Sequence, residues 1–343
     1  MTRLHILNWY FARMNSRMKK FILVLISLTG IIAISLFFVS KKSISSESSN
    51  LITKSEQSTA KMTIASKSGN SIRILFVGDM MFDRYVRQVS DKNGYGFVFQ
   101  KVDGLLRSND LVVGNLEGPI TDNKSVNVDS KMGDKNNYIF TFDPKVSDVL
   151  AKENIKLVNI GNNHISNFGS SGIENTRKYL TQSGVGFFGD PENADKRLVM
   201  EDIKNVRIAF VNYNQFVAGA EQKTIADINS AKKMKADLII IYTHWGKEFV
   251  IDPDEDIKNL AHEFIDNGAD LIIGSHPHVV QPKEEYKGKM IYYSLGNFIF
   301  DQYFEQGTQN GLAVQVEIST ENKKIISREL PILMGKNSQI LQQ

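Results

Sequence analysis

From residue 72 onward the chain alternates short apolar runs with longer stretches whose apolar positions recur at helical spacing. The runs at 72–77, 111–113, 157–160, 206–211, 238–242 and 271–273 are rich in Val, Ile and Leu and bounded by polar residues or Gly, so they read as buried strands. Asp143-Pro144 and Asp252-Pro253 each put a capping side chain before a proline suited to a first helical turn. They predict helices after 144 and over 254–267. In the second helix Ile257, Leu260, Ala261, Phe264 and Ile265 share one face and leave His262 off it, which marks His262 as a surface residue without a role. Strands alternating with helices predict an α/β fold. Beyond residue 284 a hairpin is expected around Lys287-Gly288, then a strand over 312–318 and a polar turn at 321–324. The last third therefore reads as β-rich and antiparallel.

The N-terminal pattern is different. Residues 21–39 are uncharged and apolar without an amphipathic period, close to the roughly 20 residues a helix needs to cross a bilayer. Arg13, Arg17, Lys19 and Lys20 precede this segment, which predicts a cytoplasmic N-terminus (1–20) and a single-pass cell-membrane protein whose main domain is extracytoplasmic. Lys41 and Lys42 reduce the asymmetry. No small-residue cleavage pattern follows Val39, so an uncleaved signal anchor is expected. Residues 40–71, rich in Ser and Lys, read as a flexible stalk, 72–335 as the folded domain and 336–343 as a tail.

Composition narrows the functions. The absence of cysteine excludes disulfides, thiolate zinc sites, a cysteine nucleophile and a lipid-bearing cysteine. Of 41 basic and 38 acidic side chains, five basic and no acidic ones lie in the first 20 residues, so the remainder is net −2. With no basic stripe interleaved with aromatics, nucleic acid is not an expected partner. No Gly-x-x-x-x-Gly-Lys loop is present, so nucleotide use belongs elsewhere.

Five apolar runs end in chemistry-bearing residues: Gly78-Asp79, Gly114-Asn115-Leu116-Glu117, Gly161-Asn162-Asn163-His164, Thr243-His244-Trp245-Gly246 and Gly274-Ser275-His276-Pro277-His278. Taken singly, Asp79 serves equally well as a turn cap, Asn162 and Asn163 as left-handed turn residues, and each histidine as a hydrogen-bonding loop residue. Together they deliver carboxylates, amides and four of the chain's six histidines to the carboxyl ends of strands, where open α/β sheets bind ligands. Imidazole and carboxylate are the ligand set for one or two divalent ions of Mn, Zn or Fe. Arg84, two residues after Phe82, fits either a planar fork for a substrate carboxylate or phosphate, or an ion pair on the first helix. Trp245 is placed to wall a pocket or to pack, and Asn297 to line the site's rim.

The segments Val77-Gly-Asp-Met-Met, Asn115-Leu-Glu-Gly-Pro, Asn162-Asn-His, Ser275-His-Pro-His-Val and Ser294-Leu-Gly-Asn-Phe-Ile-Phe-Asp301, in that order, resemble the capsule synthesis CapA family. The resemblance spans about 72–335 and implies a metallophosphatase-like layered β-sheet core flanked by helices, behind one N-terminal transmembrane helix. Carried over position by position, it implies Asp79, Glu117 and His278 at one metal and Glu117, Asn163, His244 and His276 at the other. His164 would be the catalytic general acid, with Arg84 a second catalytic candidate. The implied context is synthesis, export or anchoring of poly-γ-glutamate or a similar anionic polymer, alongside the membrane and other capsule synthase subunits. Two departures stand out: Met81 occupies the place of a metallophosphatase histidine, and Glu117 the place of a shorter aspartate. Three readings follow: a metal-dependent hydrolase acting on polymer, a cell-surface metallophosphoesterase, and a non-catalytic scaffold subunit of a synthase complex.

Overall fold

The computed structural model describes residues 70–343 apart from Met132, Gly133, Lys135 and Asn136. The expected cytoplasmic segment, membrane anchor and stalk as far as residue 69 lie outside the described residues, while Ser71, expected in the stalk, opens the first strand. Among the described residues no helix is long and apolar enough to cross a membrane. In chain order come β1 (Ser71–Met80), α1 (Arg84–Asn93), α2 (Asp103–Arg107), β2 (Leu111–Leu116), α3 (Lys145–Lys152), β3 (Ile155–Asn159), α4 (Gly169–Gln182) and β4 (Gly186–Phe188). Then follow β5 (Leu198–Ile203), β6 (Val206–Asn214), α5 (Ala220–Lys233), β7 (Leu238–His244), α6 (Glu255–Asp266) and β8 (Leu271–Ser275). The chain finishes with β9 (Lys283–Tyr286), β10 (Lys289–Tyr292), β11 (Asn297–Ile299), α7 (Gln306–Gln309), β12 (Asn310–Ser319), β13 (Ile325–Met334) and β14 (Ile340–Gln342).

The strands form two mixed sheets. The first has eight strands in the order β14-β13-β12-β1-β2-β3-β4 with β11 added beside β1; the second has six in the order β5-β6-β7-β8-β10-β9. Pairing is parallel from β1 to β4 and along β6, β7, β8 and β10, and antiparallel at β12, β13 and β14 and at β5 and β9. The expected antiparallel C-terminal third is present, and the hairpin turn takes positive φ at both Lys287 and Gly288, the conformation that matches strand twist.

Alternation along each strand separates three apolar layers. On β1, Ile72, Ile74 and Phe76 pack between the sheets with Phe210 of β6 and Ile240 of β7, whereas Leu75 and Val77 face the cluster that includes Val86 of α1 and Leu150 of α3. On β7, Ile239 and Ile241 turn to the opposite side, against Ile228 of α5 and Phe264 of α6. Two sheets are thus packed face to face with helices on both outer faces, an α/β fold.

Several boundaries differ from expectation for identifiable reasons. β1 and β7 run past their apolar stretches because Asp79 still pairs with Asn115 and His244 with Ser275. The segment expected as a tail, 336–343, carries β14, and Ile340 is buried. His262 is not an idle surface group: its Nε2 lies 2.7 Å from Glu284 Oε1, and its ring stacks on Tyr286 at 3.8 Å.

Candidate metal centre

The carboxyl ends of β1 and β2, and of β7 and β8 in the other sheet, meet at one buried cluster. Asp79, Glu117 and His244 are fully buried, and His278 and His276 nearly so. Ligand atoms of Asp79, Glu117 and His278 all lie within 4.8 Å of one another, so this group could bind a metal ion. Glycine makes the approach possible: a Cβ on Gly78 would sit 1.9 Å from the Gly296 carbonyl oxygen, beside the bond from Asp79 N–H to that same oxygen at 3.0 Å. Four residues around the cluster hold positive φ without being glycine: Arg84 (50°), Phe249 (63°), His276 (97°) and His278 (59°). Such conformations cost of order 1–3 kcal/mol each and persist where the surroundings fix them.

Burial alone would raise the Asp79 carboxyl, but hydrogen bonding to His278 and to the Asn115 amide holds it well below the usual range. Its Oδ1 accepts from Asn115 Nδ2 at 2.8 Å and its Oδ2 from His276 N–H at 3.1 Å. Glu117 goes the other way. Burial and the nearby Asp79 charge push its carboxyl well up, and its buried Oε1 has no hydrogen-bond partner.

The amide of Asn297 fixes the tautomer of His278. Asn297 Nδ2 donates to Gln302 Oε1 and Thr308 O, both at 2.9 Å, which turns its Oδ1 to His278 Nδ1 at 2.9 Å. Nδ1 therefore carries the proton, and the Nε2 lone pair faces Glu117 Oε1 at 3.6 Å. His244 Nδ1 lies 3.1 Å from Ser275 Oγ and 3.3 Å from the Asn115 Nδ2 donor, and its Nε2 is hydrogen-bonded to Asn163 Oδ1 at 2.9 Å. Burial, then the charge of His276, holds His244 well below the ordinary imidazole value, so it stays neutral. Buried His276 Nδ1, like Glu117 Oε1, lacks a hydrogen-bond partner. Unpartnered imidazole and carboxylate atoms are a donor set that suits a divalent ion.

His164 lies at the edge, its Nε2 3.9 Å from Glu117 Oε1 and its ring 4.4 Å from Phe140. Asn167 Oδ1, already accepting from Phe140 N–H at 2.8 Å, lies 3.2 Å from His164 Nδ1. Burial pushes His164 down to about 4, and His276 likewise. Arg84 is buried rather than a free fork: it is ion-paired with Asp301, donates to Asn137 O at 3.4 Å and lies over the rings of Phe140 and Phe300. Met81 is wholly in the core, its sulfur accepting from Asp83 N–H at 2.9 Å. Trp245 packs, donating from Nε1 to Tyr293 O at 2.8 Å. Neither Asn162 nor Asn163 is left-handed; Asn162 Oδ1 instead accepts from His164 and Ile165 N–H groups at 3.1 and 3.0 Å.

Sequence reasoning missed the amide relay beneath the cluster. Asn212 Nδ2 donates to Asn159 Oδ1 at 2.9 Å, Asn159 Nδ2 to Asn115 Oδ1 at 3.0 Å, and Asn115 Nδ2 to Asp79. The signal was available, since Asn212 follows the apolar run 206–211 and Asn159 is the polar residue within 157–160.

Residues 73–302 match the family model described as bacterial capsule synthesis protein PGA_cap. The chain belongs to this family. The matched span carries every member of the cluster. Within PGA_cap relatives, the chain is 32% identical over 259 residues to the PGA biosynthesis protein CapA of Bacillus subtilis (strain 168), covering 71% of this chain and 67% of that one. It is also 32% identical over 279 residues to the capsule biosynthesis protein CapA of Bacillus anthracis, covering 76% and 67%. Among solved structures it is similar to TT1561 of Thermus thermophilus, at 8% identity and a TM-score of 0.40, over 75% of this chain and 98% of that one.

Proposed function

We propose that this protein acts in poly-γ-glutamate capsule synthesis as an anchored, extracytoplasmic metal protein that binds the polymer at the Asp79, Glu117 and His278 cluster and cuts or transfers it there. The observation that carries the reading is a buried cluster in which ligand atoms of Asp79, Glu117 and His278 lie within 4.8 Å of one another and Glu117 Oε1 and His276 Nδ1 have no hydrogen-bond partner. Family membership supplies the polymer. A bound Mn, Zn or Fe ion supplies Lewis acidity toward a carbonyl or phosphoryl oxygen and lowers the pKa of water. The chain's residues do the rest. Asp79, Glu117 and His278 would hold one ion, and Asn163, His244 and His276 would join Glu117 at a second. Asn297, Ser275 and Asn115 orient these ligands from behind. His164 Nε2, 3.9 Å from Glu117 Oε1, would take a proton from the attacking water and return it to the leaving group. Arg84, locked to Asp301, positions Phe300 against His278 at 4.7 Å.

Met81 favours a second reading, a polymer-binding subunit without turnover, because it leaves the first position without the histidine of the metallophosphatase pattern. Incubating the full chain, purified in detergent and loaded with Mn, with poly-γ-glutamate and following polymer length decides between the two. Shortening that stops with chelator and in His164→Ala supports catalysis. Metal-dependent binding without shortening supports the second reading, and metal-independent behaviour sinks both.

A further inference from the structure

A cleft of about 410 Å³ opens beside the cluster, and its chemistry is opposite to that expected for an anionic polymer. Its walls are aromatic and outward-facing: Tyr138 is 52% exposed, Phe304 51% and Tyr85 41%. Phe249 completes them, held at a φ of 63° by a bond from its N–H to Pro277 O at 2.8 Å. That strained backbone sets the Phe249 ring 6.1 Å from His278 on one side and 5.6 Å, edge-on, from Phe304 on the other, so the cleft runs on from the metal ligands.

The charges in the cleft do not suit a carboxylate. Its one cation among the described residues, Arg84, is committed to Asp301 and to Asn137 O. The exposed carboxylate of Glu248 has no ion-pair partner among the described residues. Aromatic faces with a free carboxylate attract an ammonium, through the ring quadrupole and direct charge, and repel an anion.

We propose that this cleft is a subsite for the free amino terminus of a γ-glutamyl chain, so that the protein engages the polymer by its end. This rests on the functional reading above and deepens it. A polyanion has one cationic group, the ammonium at its terminus, and a net-negative aromatic cleft beside a cationic centre selects that end from the repeating carboxylates. Tyr85, Tyr138, Phe249 and Phe304 contact the ammonium and the adjoining methylenes, and Glu248 supplies the counter-charge.

The test uses the full chain in detergent, loaded with Mn, and two probes, tri-γ-glutamate with a free amino terminus and its N-acetylated form, compared by calorimetry. The free-amino probe is expected to bind about tenfold more tightly. Glu248→Gln and Phe304→Ala, both at exposed side chains, are expected to erase the difference while metal content stays unchanged. Equal or tighter binding of the acetylated probe overturns the subsite and leaves the polymer reading standing. Failure of both probes to bind overturns the polymer reading along with it.

Discussion

Asn212 Nδ2 donates to Asn159 Oδ1 over 2.9 Å, joining the carboxyl end of β6 in one sheet to that of β3 in the other. Both side chains are buried, and the relay continues through Asn115 to Asp79. The sheet interface and the candidate ligand Asp79 thus share one hydrogen-bonded network. Space for it comes from glycine: a Cβ on Gly161 would sit 2.4 Å from Asn212 Oδ1.

Asn159→Ala breaks the relay at its middle, leaves Gly161 N–H without its acceptor and leaves Asn115 Oδ1 with the Asn162 amide as its remaining donor. Urea unfolding is expected to show a loss of about 1–3 kcal/mol. Metal affinity of the folded variant, measured by competition with a chelator, is expected to fall about 10- to 100-fold because Asn115 no longer holds Asp79 in place. A stability loss with unchanged metal affinity would make the relay purely structural.

Much of this centre was legible from residue type and position. Each candidate ligand follows an apolar run, and a strand buried on both faces has its next polar residue at the rim, which is why Asp79, Glu117, His244, His276 and His278 converge. What the pattern did not carry is partnership. Periodicity marks 206–211 as a strand but not that it lies in a second sheet facing the first, so the bond from Asn212 to Asn159 was invisible. Short strands such as β4 and β11, three residues each, have too little pattern to read. The environment of Arg84 was also hidden, because its partner Asp301 lies 217 positions away.

Two glycines should respond in opposite directions to alanine. At Gly78 the new methyl meets the Gly296 backbone oxygen at 1.9 Å, which only a shift between β1 and the chain at Gly296 relieves, so a loss of about 3 kcal/mol or more is expected. At Gly104, exposed in α2, nothing lies within 4 Å of the added carbon, and a gain of up to about 1 kcal/mol is expected. Thermal denaturation of the two variants side by side checks both signs.

Glu284 accepts from Tyr293 Oη at 2.6 Å and lies 2.7 Å from His262 Nε2, and these contacts, Tyr293 first, hold its carboxyl below the usual range. A depressed carboxyl contributes stability above the unfolded value of about 4.3 and loses it as pH falls through the folded one. The side chain is a third exposed, so solvent screening limits the effect to about 1 kcal/mol. Glu284→Gln is therefore expected to be less stable than the parent at pH 7, with the gap closing by about pH 3. A gap that is the same at both pH values would remove the charge from the explanation.

The most direct test of the central claim is the metal content of the full chain, purified in detergent and measured by elemental analysis beside Asp79→Ala and His276→Ala. The account predicts about two equivalents of Mn, Zn or Fe in the parent and fewer in each variant, with all three proteins folded. A parent chain that binds no divalent ion, even after reconstitution with each metal, would contradict it.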